Sequence, residues 1–177
     1  MTYTYKYDSP MGQITMASDG ESITGLWIEG QKYFAQTLGE DVSQGQSLDI
    51  FTKTHAWLDD YFDGKNPANK LSLAPKGSEF RQKVWEILLA IPYGELITYG
   101  EIAKKIAKST GKAASAQAVG GAVGHNPISI IIPCHRVVGS GGSLTGYAGG
   151  IDKKIRLLEL ENASMDGLFV PKKGTAL

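Results

Sequence analysis

The stretch that most limits how this chain can fold is Ile128 to Val137, which reads ISIIIPCHRV. Its four isoleucines favour a short buried strand, because β-branched side chains suit a pleated, buried surface. Pro133 would end that strand, since proline has no amide hydrogen to donate. Cys134, the one cysteine of the chain, and His135 follow directly. The sequence therefore predicts a buried strand that delivers a thiol and an imidazole together at its end.

Cys134 can be interpreted in two ways. A single cysteine is often a small core residue without chemistry. Beside a histidine it can instead be a nucleophile, because a base generates the reactive thiolate, and the flanking proline, histidine and arginine favour this interpretation. One cysteine also excludes an internal disulfide and a cysteine-rich zinc cluster. His55 and His125 have no cysteine or paired carboxylate at ligand spacing, so we expect no metal and no other cofactor.

Composition indicates a soluble protein. The 177 residues suit one domain or two small ones, and no run of about 18 apolar residues suggests a membrane span. We expect a monomer in a reducing compartment, the cytoplasm or, in a eukaryote, the nucleus, with no membrane partner. Net charge is zero, yet residues 1–75 carry −5 and residues 76–136 carry +4. The basic part permits a polyanionic partner, although solvated helix faces would explain it almost as well.

Hydrophobic patterning divides the chain into a strand-rich domain at 1–75, a helical domain at 76–165 and a tail at 166–177. The first domain is predicted to contain a hairpin, a third strand and a helix, at 2–8, 13–17, 22–28 and 49–62. The second is predicted to contain four helices, starting near 78, 98, 115 and 152.

The second and third of these helices suggest a helix-turn-helix. The third is rich in Ala and Gly, which lets a partner approach its backbone closely, and DNA or another helix would fit equally. The glycine-rich stretch after Val137 is predicted to be a mobile loop, and the chain after Leu160 a fraying tail.

Five ordered motifs resemble the 6-O-methylguanine-DNA methyltransferases. They are TYGEIA at 98–103, AVGGA at 118–122, GHNP at 124–127, PCHRV at 133–137 and GYAGG at 146–150. The resemblance implies an α/β (α+β) fold, with a ribonuclease-H-like N-terminal domain and a winged helix-turn-helix-like C-terminal domain that carries the active site. It also implies that the protein flips 6-O-alkylguanine, and also 4-O-methylthymine, out of double-stranded DNA and moves the alkyl group irreversibly to Cys134.

The resemblance also assigns catalytic roles. His135 would act as base on Cys134 through a bridging water, and Glu161 would orient the imidazole. Tyr99 would donate to the leaving guanine, and Asn126 would support the histidine network. From the residues alone, these last three could equally be a helix-end carboxylate, a packing ring and a helix stop. Glu161 is preferred to a nearby glutamate, Glu159, because it matches the family pattern LLxxE.

Further residues follow from the same alignment. The flipped base would be framed by Val137, Tyr147, Ala148 and Gly149, and DNA would be contacted by Gln117, Ala118, Gly121, Arg136 and Ser140. Gln117 stands where the family commonly has arginine, so the residue that fills the gap left by the flipped base is open. Two alternatives have different chemistry: a lesion-binding protein of the same fold that performs no repair, or a cysteine hydrolase that turns over repeatedly.

Overall fold

A computed structural model describes residues 1–45 and 47–172, which form two compact units. The first unit comprises Met1–Lys76 together with Pro127–Ser129, and the second comprises Gly77–Asn126 and the chain from Ile130 onwards. Pro127–Ser129 lie within the stretch predicted as the second domain, yet they pack with the first unit. The predicted mixed α/β fold, with a strand-rich first part and a helical second part, is confirmed.

The first unit is built on a four-stranded sheet. Its strands are β1 (Thr2–Ser9), β2 (Gly12–Ser18), β3 (Ile23–Ile28) and β4 (Val42–Gln44), in the order β3-β2-β1-β4. The predicted hairpin and third strand are confirmed, since β1, β2 and β3 pair antiparallel in sequence order. The short strand β4 pairs parallel to β1 and was not predicted.

Helix α1 (Asp49–Phe62) supplies the other half of the core of the first unit. Ile50, Phe51, Leu58 and Tyr61 are buried on one face, the face indicated by their helical spacing. Each such side chain contributes about 1.5–3 kcal/mol by leaving water. The N-cap position of α1 belongs to Leu48, which makes no side-chain hydrogen bond there.

The apolar run at 128–132 is a buried turn, and the predicted strand was wrong. Leu26 in β3 donates its amide to the Pro127 carbonyl (2.8 Å) and accepts from the Ser129 amide (2.9 Å), so Ile128 forms a single parallel bridge. The chain then turns away at Ile130, whose φ of 71° is incompatible with a strand. Burial without regular structure explains the error, because a short apolar run suits either arrangement.

Four helices form the second unit: α2 (Glu79–Leu89), α3 (Tyr99–Thr110), α4 (Ala116–Gly124) and α5 (Ile151–Leu160). Each of the first three begins where its cap was predicted, because Ser78, Thr98 and Ser115 accept a backbone hydrogen bond from the third residue of their helix. No helix within the described ranges is long and apolar enough to cross a membrane.

A short parallel ribbon, β5 (Ile97–Thr98) with β6 (Val137–Val138), joins the start of α3 to the segment after the cysteine. The glycine-rich stretch beyond β6 was predicted to be mobile and the tail to fray. Instead the two pair: Leu144 donates to the Phe169 carbonyl (2.9 Å), and Phe169 donates to the Gly142 carbonyl (3.1 Å). The tail up to Lys172 is therefore part of the second unit, while residues 173–177 lie outside the described residues.

Candidate active site

Cys134 opens a single turn of 3-10 helix, Cys134–Arg136, at the centre of the second unit. Pro133 precedes it, and the Cys134 amide donates to the Ile132 carbonyl (2.8 Å), so the backbone curls tightly around the thiol. The cysteine is 4% exposed. The thiol is therefore almost completely shielded from solvent.

Asn126 supports this turn from the residue after the C-cap of α4. Its side-chain amide donates to the Ile132 carbonyl (2.8 Å), two residues before the cysteine. It also forms a hydrogen bond with Cys134 that favours the thiolate. The structure thus brings Asn126 to the nucleophile, and its position at the end of the helix serves both functions.

His135 and Glu161 form a buried pair behind the cysteine. The imidazole Nε2 lies 2.6 Å from Glu161 Oε1, and neither side chain is exposed. Glu161 is the C-cap residue of α5, so the end of that helix positions its carboxylate. Because the carboxylate can only accept a hydrogen bond, Nε2 carries the proton, which leaves Nδ1 as the basic nitrogen of a neutral imidazole.

Arg136 was predicted to contact DNA, but its side-chain nitrogens all bind groups of the protein. Its Nε and Nη2 donate to both oxygens of Glu161 (2.8 Å each), and its Nη1 donates to the Ile91 carbonyl (2.7 Å). Its guanidinium is thus directed into the protein and is 9% exposed. The backbone amide of Gly94 donates a further hydrogen bond to Glu161 Oε2 (3.1 Å). A side chain at Gly94 would collide with the Glu161 backbone, and its φ of 77° also favours glycine.

This arrangement shifts the pKa values of Glu161, His135 and Cys134. Burial alone would raise the pKa of Glu161, but hydrogen bonds from His135 and Arg136 and their charges hold it well below its usual range. Burial lowers the pKa of His135 although the carboxylate opposes this, so the ring is neutral and able to accept a proton. Burial raises the pKa of Cys134, against which Asn126 and the Lys154 charge act. The thiol therefore needs a base to become nucleophilic.

Two tyrosines border the thiol. The Tyr99 hydroxyl, at the first residue of α3, donates to the Thr145 carbonyl (3.0 Å). The Tyr147 ring is buried and packs against Gly149, where a Cβ would lie 2.7 Å from the ring. The Tyr147 hydroxyl has no hydrogen-bond partner among the described residues. Burial and the nearby Cys134 charge raise the pKa of both phenols, so each is a neutral hydrogen-bond donor at pH 7.

Lys154 is a site residue that the sequence analysis missed. It lies on α5, is completely buried, and donates its ammonium to the carbonyls of Val137 and Thr145 (2.9 Å to the latter). Burial lowers its pKa to about 8, although the Cys134 charge opposes this shift. A signal was present: residue 154 falls on the apolar face defined by Ile151 and Ile155, where a charged side chain is out of pattern.

Helix α4, which precedes Asn126 and the cysteine turn in sequence, has a face that is exposed to solvent. Gln117 and Ala118 are exposed, and a Cβ added at Gly121 would meet no atom within 4 Å. Ser140, in the loop after β6, is exposed as well. The predicted DNA-contacting residues other than Arg136 are therefore accessible. Within residues 1–45 and 47–172, no group of three or more His, Cys, Asp or Glu side chains could hold a metal ion.

Comparisons with known proteins cover both units. Residues 1–75 match the family model described as "6-O-methylguanine DNA methyltransferase, ribonuclease-like domain", and residues 79–163 match its "DNA binding domain". A methylated-DNA–protein-cysteine methyltransferase of Haemophilus influenzae is 43% identical over 90% of this chain and 85% of its own length. One from Mycobacterium bovis is 44% identical over 88% of this chain and 90% of its own.

Solved structures give the same result. The crystal structure of Mycobacterium tuberculosis OGT in complex with DNA superposes with a TM-score of 0.80 at 42% identity, covering 90% of this chain and 92% of that one. A 6-O-methylguanine DNA methyltransferase from Methanococcus jannaschii has a TM-score of 0.59 at 27% identity, covering 96% and 99%.

Proposed function

Since this chain belongs to the 6-O-methylguanine DNA methyltransferase family, we propose that it repairs double-stranded DNA by moving the alkyl group of 6-O-alkylguanine to Cys134. The observation that carries the proposal is the buried His135–Glu161 pair, 2.6 Å apart, directly behind the only cysteine. The pair supplies the base that a buried thiol of raised pKa requires.

The transfer is a displacement at carbon. His135 accepts the thiol proton, through a bridging water in this proposal, and Glu161 stabilises the imidazolium that results. The sulfur then forms a bond to the alkyl carbon as the carbon–oxygen bond breaks, and the electron pair stays with the guanine. The thioether has no leaving group that water can displace easily, so each chain reacts once.

Tyr99 is the proposed donor to the leaving guanine. Its hydroxyl currently donates to the Thr145 carbonyl, and it would exchange this acceptor for a ring nitrogen of the bound base. Burial and the Cys134 charge raise its pKa, so it reaches the base as a neutral donor. In this proposal Val137, Ala148 and Gly149 contribute main-chain groups to the pocket, and the Tyr147 ring covers the base.

DNA would approach the exposed face of α4. Its small side chains, Ala118 and Gly121, leave room for a backbone to lie close, and Gln117 is exposed at its first turn. The DNA complex of the Mycobacterium tuberculosis relative supports this partner. A target base would have to leave the stack to reach a sulfur that is 4% exposed. We also propose that the protein acts as a monomer in a reducing compartment, the cytoplasm or nucleus, where Cys134 stays a thiol.

Intact-mass measurement tests the proposal. Incubation with a duplex containing 6-O-methylguanine should add one methyl group, roughly 14 Da, to the peptide that holds Cys134, and then stop. Cys134→Ala should accept no methyl group and still bind the duplex. Removal of more than one methyl group from the duplex per protein chain would indicate a hydrolase. Binding of the duplex without any increase in protein mass would indicate a lesion-binding protein.

A further inference from the structure

Lys154 is a charged side chain near Cys134 that the mechanism above does not use. It is completely buried and lies on α5. Because a buried ammonium loses its hydration, a fold retains one only where its donors are satisfied by specific acceptors. The identity of those acceptors therefore indicates what the residue does.

The acceptors are two backbone carbonyls from different walls of the base pocket. Val137 belongs to β6, immediately after the cysteine turn, whereas Thr145 begins the segment that carries Tyr147 and Gly149. Gly139 donates its amide to the Ser143 carbonyl (2.7 Å) between these two stretches, and Lys154 adds a link two residues further from the loop on each side. One side chain thus links both walls.

The Thr145 carbonyl has a second donor, the Tyr99 hydroxyl at 3.0 Å. If Tyr99 turns to a bound base, Lys154 is the donor that keeps this carbonyl satisfied at 2.9 Å. A buried carbonyl left without a donor would cost free energy each time the base entered. Lys154 thereby allows Tyr99 to exchange acceptors without loosening the wall.

From this geometry we propose that Lys154 is a positioning residue for alkyl transfer, a buried ammonium that holds the Val137 and Thr145 walls of the base pocket in place while Tyr99 engages the base. This inference rests on the proposed function. The ionisable groups that act on it or near it are Cys134 and His135 of the cysteine turn, Arg136, Glu161 at the end of α5, and Tyr99 of α3.

Single-turnover kinetics with free 6-O-methylguanine base provide the test, because free base removes DNA binding from the measurement. Lys154→Met should lower the rate constant by roughly 10- to 100-fold, the range expected when reacting groups are misplaced by about 1 Å. The amplitude should stay at one methyl group per chain. A variant that was merely partly unfolded would lose amplitude and keep its rate constant.

Reaction with iodoacetamide distinguishes an effect on the base pocket from an effect on the reactivity of the thiol. It is too small to need the base pocket, so its reaction with Cys134 reports the nucleophile alone. Lys154→Met should lower the rate constants of both reactions unequally. The factor of loss with iodoacetamide should be at least about five times smaller than the factor with the base, since the misplaced walls affect the base only. Equal losses with the two reagents would overturn the proposal and assign the lysine to the thiol. Lys153→Met, one residue earlier on α5 and partly exposed, is the matched control and should stay within roughly twofold of wild type.

Lys154→Gln covers the case in which the Met variant does not fold. Its amide is a donor on a shorter side chain and can reach at most one of the two carbonyls. It should still slow reaction with the base several-fold at full amplitude. A Gln variant with the wild-type rate constant would overturn the proposal. A wild-type protein that accepts no methyl group from either base or duplex would instead contradict the proposed function.

Discussion

The two units of this protein place their charges in opposite ways. In the first unit the ion pairs lie at the surface: Lys53 with Asp49, and Lys65 with Asp60 and Asp63, with every side chain at least half exposed. Such pairs contribute little to stability because water and salt screen them. The core of this unit is instead apolar and aromatic, as in the stacked rings of Tyr5 and Phe51.

The second unit has an exposed pair as well, Lys83 with Glu79, but it also buries charges around its cysteine. Glu161, Lys154 and Arg136 are 3%, 0% and 9% exposed, and they surround the cysteine turn. Burying an ion costs several kcal/mol, which the first unit avoids altogether. The comparison teaches that the second unit gives up stability for chemistry, and that its folding and its reactivity depend on the same side chains.

The largest expected effect concerns the base. His135→Ala should slow methyl transfer by roughly 100- to 10,000-fold, the usual cost of losing a general base. Raising the pH should partly restore the rate, because solvent then generates the thiolate. His55→Ala in the first unit is the matched control and should stay within about twofold, since no general base is lost. Equal losses at the two histidines would break the distinction between the units.

Glu161→Gln should destabilise the second unit by about 3–5 kcal/mol, since it leaves the buried charge of Arg136 without its partner. Urea unfolding at pH 7 measures this loss. Glu79→Gln, which removes an exposed pair with Lys83 in the same unit, should leave the urea unfolding midpoint almost unchanged. If the two variants were equally stable, burial would not be the reason that the Glu161 charge matters more than the Glu79 charge.

The same carboxylate predicts a pH dependence. The pKa of Glu161 is lowered on folding, so its stabilisation is fully present at neutral pH and is lost as the pH falls below the ordinary value of a glutamate. The neutral His135 acts in the same direction, because its pKa is also lowered. Wild type should therefore lose stability in urea between about pH 4.5 and pH 2.5 more steeply than Glu161→Gln. Parallel curves for the two proteins would contradict the assignment.

A smaller effect is expected at Gln117. If this side chain fills the gap left by a flipped base, Gln117→Ala should slow repair of duplex several-fold and leave reaction with free base unchanged, since extrusion costs a few kcal/mol. Gln117→Arg should hold or raise duplex repair and steepen the salt dependence of binding by at most about one ion. If neither change affected duplex repair while Lys112→Ala did, another residue of the preceding loop would fill the gap.

The smallest expected effect concerns an exposed ion pair of the first unit. Lys53→Met removes the exposed pair with Asp49 on α1. We expect a change in unfolding free energy of at most about 0.5 kcal/mol and no change in methyl transfer, because an exposed i,i+4 pair contributes little. A loss approaching that of Glu161→Gln in the same urea measurement would mean that the first unit also depends on its charges.

Local chemistry made much of the fold predictable. Ser78, Thr98 and Ser115 cap their helices because a short polar side chain before an amphipathic run has few other roles. The hairpin follows from period-two alternation on either side of a turn. These features depend on interactions between residues that are close in sequence.

The remainder depends on contacts distant in sequence. The left-handed turn at Ile130 opposes the preference of a β-branched residue and exists because the neighbouring backbone pairs with Leu26, about 100 residues earlier. The inward direction of Arg136 depends on Glu161 and the Ile91 carbonyl, neither adjacent in sequence. Lys154 could have been found, because it interrupts an apolar helix face, but its acceptors are backbone atoms that no side-chain pattern reveals.

The three residues Pro127–Ser129 have a consequence for synthesis on the ribosome. They complete the first unit through the hydrogen bonds of Leu26 and through the Ser129 hydroxyl, which lies 3.0 Å from the buried Gln31 side chain. Residues 1–76 leave the ribosome first, yet the first unit lacks its last partner until α2, α3 and α4 have also been made. A nascent chain that stalls before residue 127 would hold an incomplete sheet, with the backbone of Leu26 still open to other strands.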